Sequence, residues 1–272
     1  AGFELHIYAR TKSKVEDVIG EGAQFHESIK DCVQDCDAVI TIVGFPQDVE
    51  EVYFDEGNIL DSAKEGAYLI DMTTTSPQIA EKIYAEGTKR GFHVLDAPVT
   101  GGDTGAKAGT LSILVGGDKE DYEACMPLFE AMGTNINYQG KAGCGQHCKL
   151  ANQIMIAGTL SGVCEALTYA KEQGLDPEVF MKSVATGAAG SKQLDTFGPK
   201  ILKEDYAPGF FMKHFIKDMK LALIEANRKG LSLDVLSMVL ANYEELEQEG
   251  YGDLGTQALM KFYDEEHRNM EE

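Results

Sequence analysis

The first 140 residues alternate short apolar runs with stretches of helical periodicity. The runs are ELHIYA (4–9), AVITIV (38–43), AYLIDM (67–72), HVLDAP (93–98), TLSILVGG (110–117) and INYQG (136–140). Between them KSKVEDVIGEG, ESIKDCVQD, SPQIAEKIYAEGTKRG and DKEDYEACMPLFEAMG carry helical patterns, and Pro77 opens the third, where proline suits a first turn. This alternation predicts βαβ units on a parallel sheet, and runs apolar throughout predict strands covered on both faces. After Gly143 the strand pattern stops. Residues 144–173 contain no Pro, repeat apolar residues at helical spacing and meet Gly174, which predicts one helix about 45 Å long. Ala151, Ala157, Gly158, Ser161 and Gly162 give part of it a small-residue surface. Further helices are expected at 177–186, with Asp176 as N-cap and Pro177 in the first turn, and at 192–203, 213–229, 232–248 and 254–266. The expected architecture is an α/β, doubly wound Rossmann-type domain over 1–142, followed by an all-α domain over 143–272 with the long helix as its stem.

Charge and cysteine usage narrow the function classes. The 272 residues hold 24 Lys+Arg against 45 Asp+Glu, a net charge of −21, which repels phosphate backbones and anionic lipid and argues against nucleic-acid and membrane partners. No run of about 18 apolar residues and no basic-then-apolar leader is visible, so neither a membrane span nor a signal peptide is expected, and the location is expected to be cytoplasmic. Six Cys are too few for a disulfide framework, and none faces a His pair at zinc spacing. Cys32/Cys36 and Cys144/Cys148, each four apart, are read as reduced packing residues, with no metal site. His6, His26, His93, His147, His214 and His267 are scattered and read as surface or packing residues.

Two segments carry chemistry. In DAPVTGGDTGAKAGTL (96–111) a strand ends in Asp-Ala-Pro and leads into a loop with Gly at 101, 102, 105 and 109. Glycines let backbone N–H groups approach a ligand closely, and beside the Thr100 hydroxyl they suit a carboxylate or phosphate. In GCGQHCKLANQ (143–153) the G-x-G imitates a dinucleotide loop, but Cys148 stands where the third Gly belongs, far from the start of the sheet. Lys149 and Asn152, three apart, share one helix face and can act on one small ligand. Burial and the positive end of the helix dipole would lower the Lys149 pKa toward the proton-donor range.

DAPVTGG with GAxxGTL, then GxGxxxKLxNQ, then KD in HFIKDMKLAL follow in the order and approximate spacing of the β-hydroxyacid dehydrogenases. The chain resembles this family, which includes 3-hydroxyisobutyrate dehydrogenase and tartronate semialdehyde reductase and is related to 6-phosphogluconate dehydrogenase, over nearly its whole length. The resemblance implies that Thr100 (more often Ser in the family), Gly101 and Gly102 hold a substrate carboxylate, that Lys149 is the catalytic acid/base and that Asn152 orients the substrate. It also implies that Lys217 reaches over the nicotinamide and substrate, that Thr74 in DMTTTSP lies beside the nicotinamide ribose, and that Asp218 is a structural partner. The implied reaction moves a hydride between the nicotinamide C4 and the carbonyl carbon of a small carboxylated semialdehyde or 3-hydroxy acid, in a homodimer or homotetramer.

The end of the first strand bears on the cofactor. An acid there bonds the ribose 2′-hydroxyl of NAD, whereas a basic residue accommodates the 2′-phosphate of NADP. Arg10 and Thr11 follow ELHIYA with no acid until Glu16, so NADP is expected, with NAD possible. Gly44, Phe45 and Pro46 fall where the family borders the adenosine and diphosphate. The fold further implies a strand and a G-x-G-x-x-G turn ahead of ELHIYA, with AQFH (23–26) as the third strand. The chain starting at Ala1 shows neither and by itself is expected to bind dinucleotide poorly and to be inactive. Two alternatives are a non-catalytic dehydrogenase-fold scaffold and imine reduction, the second disfavoured by Lys149.

Overall fold

The computed structural model describes residues 1–263. Residues 264–272, which include His267 and the end of the helix expected at 254–266, lie outside the described residues. The chain divides into two compact units, Ala1–Lys149 and Leu150–Glu272.

In the first unit β1 (His6–Ile7) pairs in parallel with β2 (Gln24–Phe25), the AQFH segment, as a two-stranded sheet of its own. A second sheet holds β3 (Ala38–Thr41), β4 (Tyr68–Asp71) and β5 (His93–Asp96) in parallel. The expectation of a wholly parallel sheet fails beyond β5. There β6 (Val99–Thr100) and β7 (Leu111–Gly117) run antiparallel to each other, β7 is antiparallel to β5, and β8 (Gly133–Gly140) is parallel to β7. Parallel neighbours need a long crossover, and the chain between β5 and β7 holds only β6 and a seven-residue helix, Gly102–Ala108. That helix also corrects the reading of 101–109 as a loop. Leu69, Ile70, Leu95, Ile113 and Val115 are buried, as uniformly apolar strands require.

The remaining helices of this unit are short, apart from α5. In chain order they are α1 (Glu16–Gly20), α2 (Ile29–Val33), α3 (Pro46–Phe54), α4 (Ile59–Ser62), α5 (Pro77–Lys89), α6 (Gly102–Ala108), α7 (Lys119–Ala124) and α8 (Met126–Glu130). Neither α3 nor α4 was expected. α3 starts where Pro46 presets the first turn and the Asp48 carboxylate accepts the Phe45 N–H at 2.9 Å, half of a capping box.

Among the described residues from Cys144 onward the regular elements are helices: α9 (Cys144–Glu172), α10 (Pro177–Ala185), α11 (Lys192–Ile201), α12 (Met212–Arg228) and α13 (Asp234–Gln248). The α-helix expected at 254–266 is instead a 3-10 stretch, Thr256–Tyr263. Its start is tied to other segments: the Thr256 N–H donates to the Phe210 carbonyl at 3.1 Å, Tyr243 donates to the Thr256 carbonyl at 2.7 Å, and the buried Gln257 side-chain amide donates to the carbonyls of Asp205 and Ala207. By length and composition alone α9 could cross a membrane, which the sequence pattern had not suggested. Its Ala157, Leu160, Cys164 and Leu167 are packed in the helical core with Phe215, Met219, Val239 and Tyr243.

The first turn of α9 approaches the sheet too closely for any side chain. A Cβ on Gly145 would strike the Leu114 carbonyl oxygen and lie 2.7 Å from that of Asp96, and one on Gly116 would lie 2.7 Å from the Gly145 nitrogen. The second glycine of this G-x-G is therefore a packing device, and the first takes a left-handed φ of 84° ahead of the helix. Gly145→Ala is expected to lower unfolding stability by more than about 2 kcal/mol in denaturant titration, and a loss below about 0.5 kcal/mol would contradict the close seat.

Candidate active site

The site is built around the start of α9. Asp96, buried at the end of β5, accepts the Gly143 N–H on Oδ1 at 2.8 Å and the Gln146 N–H on Oδ2 at 2.9 Å. These are N–H groups that a helix start leaves without intrahelical partners, and the positive end of the dipole favours a carboxylate there. Burial nevertheless pushes the Asp96 carboxyl up to about 7, against the pull of those N–H bonds and with the Asp71 charge adding to it. Gln146 extends the junction: its Oε1 accepts the Thr75 N–H at 3.0 Å and its Nε2 donates to the Thr73 carbonyl at 2.8 Å. Thr73 Oγ1 in turn accepts the Val43 N–H, and the Thr41 hydroxyl donates to Asp71 at 2.8 Å. The carboxyl ends of β3, β4 and β5 are thus tied to the helix start, at the edge where open α/β sheets bind ligands.

Lys149 lies in the second turn of α9 and is only 7% exposed, an environment lysine rarely occupies without a role or a partner. One turn on, Asn152 donates to Gln153 Oε1 at 2.8 Å, and Gln153 donates to Asp218 Oδ2 at 2.7 Å. Asp218 is buried, and its Oδ1 is 2.9 Å from Lys217 Nζ. The structure therefore joins Asn152, Gln153, Asp218 and Lys217 in one network. Thr100 is on β6, opposite Ser112 of β7. Gly101 and Gly102, at φ of 130° and 65°, make the left-handed turn into α6 that a side chain would resist. Thr74 lies in the segment between β4 and α5, where Ser76 and not Thr74 caps the helix, accepting the Gln78 N–H at 3.2 Å.

The segments expected at the cofactor meet through a residue the sequence pattern did not single out. Arg10 follows β1, and its Nη2 is 2.6 Å from Asp48 Oδ1 and 3.4 Å from Glu51 Oε2, both on α3. The other Asp48 oxygen holds the Phe45 N–H, so Arg10 and the Gly44–Phe45–Pro46 loop share one carboxylate. Burial alone would raise the Asp48 carboxyl, but the hydrogen bonds from Arg10 and Phe45 outweigh it and leave it below the usual range. Thr11 begins a single 3-10 turn at Lys12–Lys14. A dinucleotide fits these residues: a cation, the partly exposed Phe45 ring and the N-terminus of α3 are together. Asp96, Gln146, Gln153, Asp48 and Glu51 went unassigned in the sequence. Only Asp48 had a local signal, its three-residue spacing from Phe45 ahead of an apolar run. The six cysteines are free thiols, His6 stacks on His26, and His93 pairs with Asp121 at 2.6 Å. Among the described residues no cluster of three His, Cys, Asp or Glu is placed to hold a metal.

Residues 1–140 match the family model of the NAD binding domain of 6-phosphogluconate dehydrogenase, and residues 143–263 match that of NAD-binding of NADP-dependent 3-hydroxyisobutyrate dehydrogenase. An uncharacterised oxidoreductase of Bacillus subtilis, YkwC, is 49% identical over 96% of this chain and 91% of its own length. A probable mitochondrial 3-hydroxyisobutyrate dehydrogenase-like protein of Arabidopsis thaliana is 44% identical over 96% of this chain and 78% of its own. Among solved structures, Mycobacterium tuberculosis 3-hydroxyisobutyrate dehydrogenase with L-serine superposes with a TM-score of 0.86 at 26% identity, covering 96% of this chain and 90% of that one. A Rossmann-like sheet followed by a helical domain, with these matches, defines an NAD(P)-dependent hydroxyacid dehydrogenase. The chain belongs to the β-hydroxyacid dehydrogenase family.

The Asp96 seat has a pH signature. Its folded-state value of about 7 lies above the ordinary 3.8, so the folded chain holds the proton more tightly than the unfolded chain. The associated stability is complete below pH 3.8 and is lost as the pH rises through 7. Asp96→Asn abolishes the titration. The unfolding free energy of the wild type minus that of the variant is therefore expected to fall between pH 5 and pH 8, by at most about 1.4 kcal/mol per unit. A difference that is flat or rises would contradict the assignment.

Proposed function

We propose that the protein interconverts a small 3-hydroxy acid and the corresponding carboxylated semialdehyde, using NADP(H) or NAD(H), with Lys149 as general acid/base. The observation that carries this reading is the buried Lys149 on α9, one turn from Asn152. When bound, the dinucleotide supplies or accepts the hydride. Lys149 as an ammonium polarises the carbonyl oxygen and gives it a proton, or as an amine takes the proton from the hydroxyl in the oxidative direction. The Thr100 hydroxyl with the backbone of Gly101 and Gly102 receives the carboxylate. Asn152, whose amide is already oriented by Gln153, aligns the substrate, and Lys217, held by Asp218, serves the nicotinamide and the substrate. Arg10, Thr11, Gly44, Phe45, Pro46 and Thr74 hold the dinucleotide, with Arg10 toward the adenosine ribose. The L-serine of the mycobacterial structure is itself a small 3-hydroxy acid, which supports this substrate class. A scaffold without activity has no use for Lys149, Asn152, Lys217 and the Thr100–Gly101–Gly102 turn together.

In the full-length protein Lys149→Ala is expected to lower kcat by roughly 10²- to 10⁴-fold, while the calorimetric affinity for the dinucleotide changes little. Retention of more than about a third of wild-type kcat would remove Lys149 from the role.

We also propose a homodimer or homotetramer formed through the helical domain. Met155 and Tyr169 of α9, two heptads apart, are 74% and 67% exposed, and Val235 and Met238 of α13 are also exposed, apolar side chains that a second copy would cover. Light scattering is expected to give at least twice the chain mass. A monomer that persists at micromolar concentration would overturn the proposal.

A further inference from the structure

We propose that Asp48, together with Glu51, sets the cofactor choice of this chain. The two carboxylates engage the Arg10 guanidinium and move the balance away from NADP(H) toward NAD(H), and Asp48 offers the acceptor for a ribose 2′-hydroxyl. This rests on the reading that Arg10 faces the adenosine ribose.

Sheets that prefer NAD carry an acid at the end of the second strand of the dinucleotide fold. Here that position holds Arg10, and the chain beyond it has no acid before Glu16. The fold brings the acid from a different element: Asp48 and Glu51 of α3, 38 and 41 residues along the chain, both reach Arg10. Asp48 is not free to leave. One of its oxygens accepts the Phe45 N–H at the start of α3, its side chain is only 19% exposed, and the other oxygen lies 2.6 Å from Arg10. That second oxygen keeps a lone pair for a hydroxyl donor.

A 2′-phosphate carries about two negative charges. It would meet one guanidinium already shared by two carboxylates, so the attraction to Arg10 is opposed by like charges a few ångströms away, with water screening only part of the repulsion. A 2′-hydroxyl brings no charge and can donate to Asp48. Arg10 on its own predicts NADP. Arg10 held by two acids predicts a site that accepts NAD(H) at least as readily.

The test titrates NADPH and NADH calorimetrically into the full-length wild type and into Arg10→Ala, Asp48→Asn and Glu51→Gln, with the kcat/KM ratio for the two cofactors measured alongside. Asp48→Asn is expected to raise the ratio of NADPH to NADH affinity about tenfold, and Glu51→Gln, more distant and more exposed, about threefold. Arg10→Ala is expected to lower the ratio. The ratio cancels any loss of fold common to both cofactors, and Glu51→Gln leaves the α3 cap intact. If Arg10→Ala lowers the ratio while neither acid variant shifts it by more than about twofold, the role of the carboxylates is overturned and the placement of Arg10 stands. An unchanged ratio in Arg10→Ala overturns that placement and the proposal with it.

Discussion

The seating of one helix start on the end of one strand organises this protein. The Asp96 carboxylate spans the N–H groups of Gly143 and Gln146, and the glycines at 116 and 145 remove the side chains that would keep the backbones apart. Gln146 then fastens the segment after β4 to the same turn. Lys149 follows within one further turn, so its position along α9 and its rotation about the helix axis are inherited from the seat. Lys149 as the proposed general acid must come within hydrogen-bond reach of the oxygen it protonates, a demand that a helix anchored at its first turn would meet more strictly than a loop.

The seat comes at an electrostatic cost. Asp71 and Asp96 are register partners at the ends of adjacent strands, both buried, and burial shifts Asp96 to about 7. A charge in such a place is tolerated only when hydrogen bonds compensate it, and the helix start gives each oxygen of Asp96 one N–H. The second network follows the same rule: Asp218 accepts from Gln153 and is paired with Lys217, so a buried acid fixes the cation beside it. Breaking such a pair leaves an uncompensated buried charge, which ties the order of Lys217 to the integrity of Gln153 and thus to α9.

The sequence made the strand and helix alternation, the long helix and the candidate residues Lys149, Asn152 and Thr100 legible, because periodicity and motif spacing are local properties. What it concealed was non-local. That Gly145 serves close packing is visible only once Leu114 and Asp96 are placed against it. That Arg10 is held by Asp48 and Glu51 depends on β1 and α3 meeting at one edge. The antiparallel arrangement of β6 and β7 is hidden because residues 101–109 read as a glycine-rich loop, whereas Gly102–Ala108 within them close into α6 and leave too little chain for a parallel crossover. The 3-10 stretch at Thr256–Tyr263 has a helical apolar pattern, but its start is bonded to Phe210, Tyr243, Asp205 and Ala207, all distant in sequence.

The central claim, that this chain moves a hydride to the carbonyl carbon of a small carboxylated aldehyde, is tested most directly by isotope transfer. The full-length protein is incubated with NADPH or NADH deuterated at the transferable C4 position and with three- and four-carbon semialdehyde acids, and the products are analysed by mass spectrometry. One deuterium on the carbinol carbon of the resulting 3-hydroxy acid is the predicted result. Recovery of unlabelled aldehyde from every member of the series, by protein shown to bind the cofactor, would contradict the account.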